Sequence, residues 1–223
     1  YSSAASDVYK RQVMTWEQEN FPAILNVWFG GCESGDAICD VLFGDKVPSG
    51  KLTATMPKSV GQIPLYYNHL NTGRPLKEGK WFSKFTSNYL DIDNDPLYPF
   101  GYGLSYTTFK YGKPTLSSNT MTNNETISVS VDITNTGNYD ADEIAQMYIR
   151  DLAASVSRPV KELKGFERIS IKKGETKTVT FTITPEDLKF YNQELEYKNE
   201  PGEFEVMVGP NSKDVQTLTF TLK

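Results

Sequence analysis

An acidic run at Asp91-Ile92-Asp93-Asn94-Asp95 has the ligand spacing with which a calcium-binding loop begins. Carboxylate and amide oxygens at alternate positions suit a hard cation such as Ca²⁺. An EF-hand loop also needs glycine at its sixth position and a bidentate glutamate at its twelfth, where this chain has Pro96 and Tyr102. An exposed acidic loop tip is the preferred interpretation, with a partial ion site as the alternative, and no metal is assigned.

Histidine chemistry is limited because His69 is the only histidine in the chain. A metal site with two histidine ligands therefore cannot be assembled from this sequence. A lone histidine of this kind is usually a hydrogen-bonded structural residue. Gly30-Gly31 precede a predicted helix but lack the spacing of a dinucleotide or phosphate loop, so no cofactor is assigned.

The two cysteines, Cys32 and Cys39, lie seven positions apart in what is predicted to be one helix. That spacing separates their α-carbons by about 10 Å. A disulfide needs α-carbons within about 7 Å. We therefore predict two free thiols, both buried.

Composition and charge exclude two classes of partner. The chain has 223 residues and a formal charge of −5, and its lysines and arginines are scattered rather than clustered. It offers no basic stripe for a phosphate backbone, so nucleic acid is not expected. Its apolar runs are far shorter than the roughly 20 residues that a membrane-spanning helix needs.

The first half of the chain has the pattern of an α/β fold. We predict a buried strand at Ala23–Phe29, a helix at Glu33–Phe43 ended by Gly44, and a strand at Lys51–Met56. One strand-helix-strand unit cannot cover both faces of its own sheet, so it should belong to a larger one. The long aromatic segment 57–109 is too rich in tyrosine and phenylalanine to be disordered and is predicted to pack against its neighbours.

After Gly112 the sequence changes to strict alternation of apolar and polar residues, with turn signals every 8 to 15 positions. This pattern is typical of a β-sandwich of the immunoglobulin or fibronectin type III kind. A single helical turn is predicted at Pro185–Leu188. The predicted strands lie at 127–134, 144–150, 178–183, 204–208 and 218–222.

Several motifs, in this order, resemble the carboxy-terminal half of a bacterial glycoside hydrolase of family 3, of the β-glucosidase kind. The resemblance covers about Val13 to Lys223. It rests on the following blocks: Asp40–Leu52, Tyr66–Pro75, Leu97–Thr107, and, for a closing fibronectin type III-like domain, Arg158–Phe166 and Pro201–Phe204.

The resemblance implies a retaining enzyme that releases terminal β-D-glucosyl units from a β-linked oligosaccharide or glycoside. Such an enzyme uses two carboxyl groups about 5–5.5 Å apart. In the family, the nucleophilic aspartate lies on an amino-terminal barrel and the acid/base glutamate before the segment that begins here, so no catalytic residue is assigned. The carboxylates of the predicted helix and its ends are expected to be solvated; they are Glu33, Asp36, Asp40 and Asp45.

Three residues are candidates for the rim of the sugar site: His69, Arg74 and Tyr89. The block Tyr66–Pro75 is expected to form a loop from which His69 or Arg74 donates to a sugar hydroxyl. Tyr89 and Trp81 could stack on a sugar ring, although most aromatic residues in such a segment simply pack.

The expected organisation has three parts. Residues 1–12 are expected to be a non-native or disordered leader without a counterpart in the family. Residues 13–111 are expected to be the end of the α/β sandwich domain with its aromatic connection, and 112–223 the fibronectin-like sandwich. The chain is expected to be inactive alone, to pack on a missing barrel and missing strands, and to expose apolar surface without them. The parent protein is expected to be periplasmic or secreted. Alternatives are β-xylosidase or another glycosidase specificity, or a non-catalytic carbohydrate-binding or adhesion module.

Overall fold

The structure is a computed structural model that describes residues 13–76, 80 and 82–223. The predicted leader at 1–12 and Trp81 lie outside the described residues. Two α-helices, α1 (Thr15–Asn20) and α2 (Ser34–Phe43), precede the strands, and single 3-10 turns lie at Val60–Gln62 and Pro185–Leu188. The strands are β1 (Phe109–Tyr111), β2 (Thr115–Leu116), β3 (Thr120–Met121), β4 (Ile127–Asn135), β5 (Ala141–Asp151), β6 (Glu162–Ile171), β7 (Thr176–Ile183), β8 (Phe190–Tyr191), β9 (Tyr197–Lys198), β10 (Gly202–Gly209) and β11 (Gln216–Leu222).

Helix α2 confirms the predicted helix and its end. Gly44 adopts the left-handed conformation, with φ of 85°, and its N–H donates to the carbonyl of Val41. This is the geometry that glycine favours just after a helix. The apolar stripe of the helix is not covered by the described residues, since Phe43 is 82% exposed and Leu42 56%.

Other apolar side chains around α2 are also exposed, among them Trp28 and Phe29. The predicted exposed apolar surface is therefore confirmed for the described part of the chain. The thiols of Cys32 and Cys39 are free, as predicted, but both are exposed. The prediction that they are buried was wrong, because no described element packs over this side of α2.

The two strands predicted before Pro57 are not formed. Ala23–Phe29 is irregular, with Trp28 at a φ of 44°, and no described strand lies beside it. A strand requires a hydrogen-bonded neighbour, so its apolar sequence alone does not produce one. Lys51–Met56 bends at Thr53 and Ala54, and only Met56 makes a β-bridge, to Tyr98. Three consecutive residues, 54–56, are buried there instead of alternating.

Segment 51–56 lies against segment 97–102. The N–H of Leu52 donates to the carbonyl of Tyr102 at 2.8 Å, and the N–H of Gly101 donates back to Leu52 at 2.7 Å. Farther along, the N–H of Met56 donates to Tyr98 at 2.9 Å. These bonds hold together the two ends of a long connecting segment, residues 57–96.

The sandwich consists of two main sheets. In one, β4 pairs with β1, β2 and β7, and in the other the strand order is β3-β11-β10-β5-β6. A small hairpin, β8-β9, stands apart. Because β1 lies before Gly112 and pairs with β4, the first sheet includes residues on the amino-terminal side of that glycine.

The core of the sandwich lies between the sheets and follows the predicted alternation. Along β4 the inward residues Ile127, Val129, Val131 and Ile133 are at most 3% exposed, whereas the intervening residues are more exposed. The aromatic rings of Phe204 and Phe220 stack at 5.5 Å. Strand β6 was not predicted, because it is an edge strand whose burial does not alternate and whose pairing with β5 is interrupted by a bulge.

Buried polar side chains connect the sandwich to the preceding segment. Glu143 on β5 is 3% exposed, forms an ion pair with Lys51 at 3.3 Å and accepts a hydrogen bond from the Tyr111 hydroxyl at 2.9 Å. Burial, and then the neighbouring Glu143 carboxylate, raise the pKa of Tyr111, so its hydroxyl remains a donor. The carboxylate thus joins residues from three parts of the chain.

A second buried link is formed by Gln146, which is 3% exposed. Its amide donates to the carbonyl oxygens of Gly101 at 3.1 Å and Pro210 at 2.6 Å. Its side-chain oxygen accepts from the Tyr148 hydroxyl at 2.5 Å. Gln146 therefore hydrogen-bonds three polar groups at the junction of the segment and the sheet.

We expect Asp151→Asn to stabilise the chain at neutral pH. The carboxyl of Asp151 accepts from the N–H of Ala153, but its other oxygen is buried without a partner in the described structure. Burial raises the pKa of Asp151, an effect that the nearby Glu200 and Glu162 strengthen and that the Ala153 N–H and Arg158 oppose.

A raised carboxyl pKa means that the folded state binds the proton more tightly than the unfolded state. The stabilising contribution is fully present below the ordinary value of 3.8 and is lost as the pH rises through the folded-state pKa. Melting temperatures measured from pH 3 to 8 should show Asp151→Asn above the wild type at pH 7 and level with it at the acid end. A variant that melts lower at pH 7 would contradict the expectation.

Candidate substrate-rim site

The predicted rim loop, Tyr66–Pro75, begins along the edge of β6. The N–H of Val160 donates to the carbonyl of His69 at 2.9 Å, and Leu70 forms an antiparallel bridge with Pro159. The N–H of Leu163, on β6, donates to the Tyr67 hydroxyl at 3.3 Å. Residues 67–70 therefore run antiparallel to residues 159–163.

The remainder of the loop turns back at a glycine. The side-chain oxygen of Asn71 accepts from the N–H of Gly73 at 3.3 Å, and Gly73 has a φ of 77°. Asparagine followed by such a glycine is common in tight turns, because the amide replaces a backbone acceptor and glycine tolerates positive φ. The N–H of Ser87 donates to the carbonyl of Arg74 at 2.9 Å and closes the far end.

The structure places His69 and Arg74 on this one loop, and both side chains are exposed. Nδ1 of His69 lies 3.0 Å from the carbonyl oxygen of Leu70. The guanidinium of Arg74 has no ion-pair partner among the residues that the structure describes. A guanidinium group carries five N–H donors in a planar arrangement.

Tyr89 has a different environment. Its side chain is half-buried and its hydroxyl donates to the carbonyl of Gln62 at 3.1 Å. Tyr89 follows Ser87, the residue that closes the rim loop, by two positions. This hydrogen bond supports the interpretation that Tyr89 packs within the protein. Only the exposed part of its ring could stack on a sugar.

The acidic residues that the sequence singled out have ordinary surroundings. Asp93 pairs with Lys58 at 2.7 Å and Asp95 with Lys213 at 2.8 Å. Their backbone carbonyls both accept from the side chain of Gln62, which is fully buried. No group of three or more metal-ligating side chains occurs in the described ranges. Glu33 and Asp36 are exposed at the start of α2.

One residue that positions the loop was missed by sequence reasoning. The ring of Tyr67 stacks on Phe100 with centroids 4.2 Å apart and meets the ring of Tyr148 edge-on at 5.8 Å. These contacts are separated by more than 30 and 80 positions in the sequence, so no local pattern indicates them. The only available signal was the density of aromatic residues between Pro57 and Phe109.

Two family models match the chain, one in each half. Residues 8–106 match the glycosyl hydrolase family 3 C-terminal domain, and residues 143–212 match the fibronectin type III-like domain. The two matches are consecutive along the chain and do not overlap. The chain belongs to glycoside hydrolase family 3, and the predicted family and fold class are confirmed.

Relatives in sequence and structure agree with this assignment. A periplasmic β-glucosidase of Salmonella typhimurium is 55% identical over 92% of this chain and 27% of its own length. A β-xylosidase of Formosa agariphila is 47% identical, over 92% of this chain and 28% of that protein. The crystal structure of a Listeria innocua β-glucosidase in complex with glucose has a TM-score of 0.88 and 43% identity, over 96% of this chain and 29% of that one. The chain thus spans less than a third of these relatives.

No helix in the described part of the chain is long and apolar enough to cross a membrane.

Proposed function

We propose that this chain is the carboxy-terminal part of a retaining β-glucosidase that hydrolyses terminal, non-reducing β-D-glucosyl residues. The observation that carries the proposal is the 55% identity to a β-glucosidase over 206 residues. The structural likeness to a glucose-bound β-glucosidase supports the same substrate class. Both catalytic carboxyl groups belong to the remainder of the enzyme, and the chain alone is inactive.

Within the enzyme, this part supplies structure and the rim of the sugar site. The Tyr66–Pro75 loop carries His69 and Arg74 to the rim, where their N–H groups donate to sugar hydroxyls, and Tyr89 lies behind them. The exposed apolar side of α2 packs on the amino-terminal barrel and on neighbouring strands of the α/β domain. Burying Leu42 and Phe43 there would contribute about 1.5–3 kcal/mol each if their exposed surface were fully covered.

The modules divide near Gly112, with β1 contributed to the sandwich from the earlier side. We place the enzyme in the periplasm, or outside the cell, because a relative at 55% identity is named as a periplasmic enzyme. A β-xylosidase activity is the second candidate, since a relative at 47% identity carries that name.

The test compares the full-length enzyme with residues 13–223 alone on matched chromogenic aryl β-glucoside and aryl β-xyloside. We expect the full-length enzyme to favour the glucoside in kcat/KM and the isolated chain to leave both substrates intact. A preference for the xyloside would replace the first candidate by the second. Turnover by the isolated chain at a rate near that of the full enzyme would refute the placement of the catalytic groups.

A further inference from the structure

The edge of a β-sheet carries backbone groups that need a partner. Strand β6 is an edge strand of the five-stranded sheet, and a bulge lies in its pairing with β5 opposite Tyr148. Next to this bulge, the N–H of Leu163 is satisfied by the Tyr67 hydroxyl, and the N–H of Val160 by the carbonyl of His69. Residues 67–70 therefore lie along residues 159–163, where the chain enters this edge strand.

The aromatic ring of Tyr67 is also fixed by contacts with neighbouring rings. Its stack on Phe100 and its edge contact with Tyr148, a fully buried residue of β5, leave the ring little freedom to move. Phe100 is in turn bonded to the sandwich, since its carbonyl accepts from the N–H of Ser212 at 2.9 Å. The start of the rim loop is therefore attached to two strands of the sheet and to the loop after β10.

The far end of the loop is attached elsewhere, through Arg74 and Pro75 to Ser87. Between Leu70 and Arg74 the backbone has only three residues, and one of them is the positive-φ Gly73. A span this short transmits a displacement of its first anchor to its last residue. The position of the Arg74 guanidinium thus depends on the anchor at Tyr67.

We propose that the fibronectin-like sandwich positions the substrate rim of this enzyme, and that Tyr67 is the positioning residue through which it does so. The inference rests on the proposed function, because it concerns the loop assigned there to the sugar rim. It gives the sandwich a role in substrate affinity rather than in chemistry. Tyr67 touches no substrate and acts through Arg74.

The experiment uses the full-length enzyme with cellobiose as substrate and four variants: Tyr67→Ala, Tyr67→Phe, Arg74→Ala and the double variant Tyr67→Ala/Arg74→Ala. We expect Arg74→Ala and Tyr67→Ala each to raise KM about tenfold, the factor for one charge-assisted hydrogen bond, with kcat changed less than about twofold. Tyr67→Phe keeps the stack and should raise KM by about threefold or less. The double variant should match Arg74→Ala alone, because both changes remove the same contact.

Tyr111→Phe is the matched control, since it removes another half-buried tyrosine hydroxyl bond at the sandwich, the one to Glu143, without touching the loop. Its KM should stay at the wild-type value. Effects of Tyr67→Ala and Arg74→Ala that multiply in the double variant would overturn the proposal. So would an unchanged KM in Tyr67→Ala when Arg74→Ala raises it.

Hydrogen exchange separates this proposal from the proposed function, because it does not depend on turnover. The backbone amides of residues 69–74 should exchange faster in Tyr67→Ala than in the wild type and in Tyr111→Phe. Unchanged exchange would overturn the positioning role. If exchange is faster in Tyr67→Ala but Arg74→Ala has the wild-type KM, Tyr67 anchors the loop and Arg74 does not lie at the substrate rim. That result would refute the proposed effect of Tyr67 on substrate affinity.

Discussion

Replacing Glu143 by Gln is expected to lower the free energy of unfolding of the 223-residue chain by about 3 kcal/mol. Removing one partner of a buried ion pair leaves the other charge uncompensated, which costs about 3–5 kcal/mol in measured cases. Glu143 is 3% exposed and the Lys51 side chain is 12% exposed. Glutamine keeps the side-chain volume and an acceptor for the Tyr111 hydroxyl. The loss of unfolding free energy therefore measures the effect of removing the Glu143 charge.

Denaturant unfolding followed by circular dichroism measures this loss. The control is Glu186→Gln, whose partner Lys189 lies at 2.6 Å on the surface and whose own side chain is 65% exposed. That change should cost less than about 1 kcal/mol. The double variant Lys51→Met/Glu143→Gln should lose less than the sum of the single changes, because no unpaired charge remains. A Glu143→Gln variant as stable as Glu186→Gln would show that the buried pair contributes nothing.

Gly101→Ala is expected to destabilise the chain by about 3 kcal/mol through two separate effects. Gly101 has a φ of 79°, where an alanine costs about 1–2 kcal/mol. Its added methyl would lie 2.0 Å from the side-chain oxygen of Gln146, so that side chain would have to move. Displacing it would break hydrogen bonds to buried groups, at about 1–3 kcal/mol.

Gly174→Ala separates the two effects. Gly174 has nearly the same φ, 75°, but nothing lies within 4 Å of the added methyl. It should lose only the conformational part, about 1–2 kcal/mol. Urea midpoints of the two variants give the comparison. Equal losses would mean that Gln146 can move without cost and that its bonds do not hold the segment to the sheet.

Helix α2 and five strands of the sandwich could be predicted because each is coded by neighbours in sequence; these strands are β4, β5, β7, β10 and β11. The period of α2, the glycine that ends it and the two-residue alternation of β4 and β7 are local patterns that burial then reproduces. The predictions of strands at 23–29 and 51–56 were wrong for the opposite reason. Their apolar residues fit a buried strand, but strand formation depends on hydrogen bonds to a neighbour that is not coded nearby.

The proposed rim could be predicted only as a loop with polar candidate residues. The types of His69 and Arg74 and the turn residues around Gly73 are visible in the sequence, and the structure brings both candidates onto one loop. The role of Tyr67 as the anchor of this loop could not be predicted. Tyr67 meets Phe100, Tyr148 and Leu163 from distant parts of the chain, and nothing in its local sequence distinguishes it from the neighbouring, exposed Tyr66.

The amino-acid sequence by itself determined the family, the sandwich with its inward residues, and the end of helix α2 at Gly44, because motif spacing and short-range periodicity are properties of contiguous residues. Only the tertiary structure decided which polar residues became buried. Glu143 and Gln146 are buried on β5 and are stable there because Lys51, Gly101 and Pro210 supply their partners across the fold. These polar groups can be buried only because folding brings their partners close from distant parts of the chain, which the local sequence does not show.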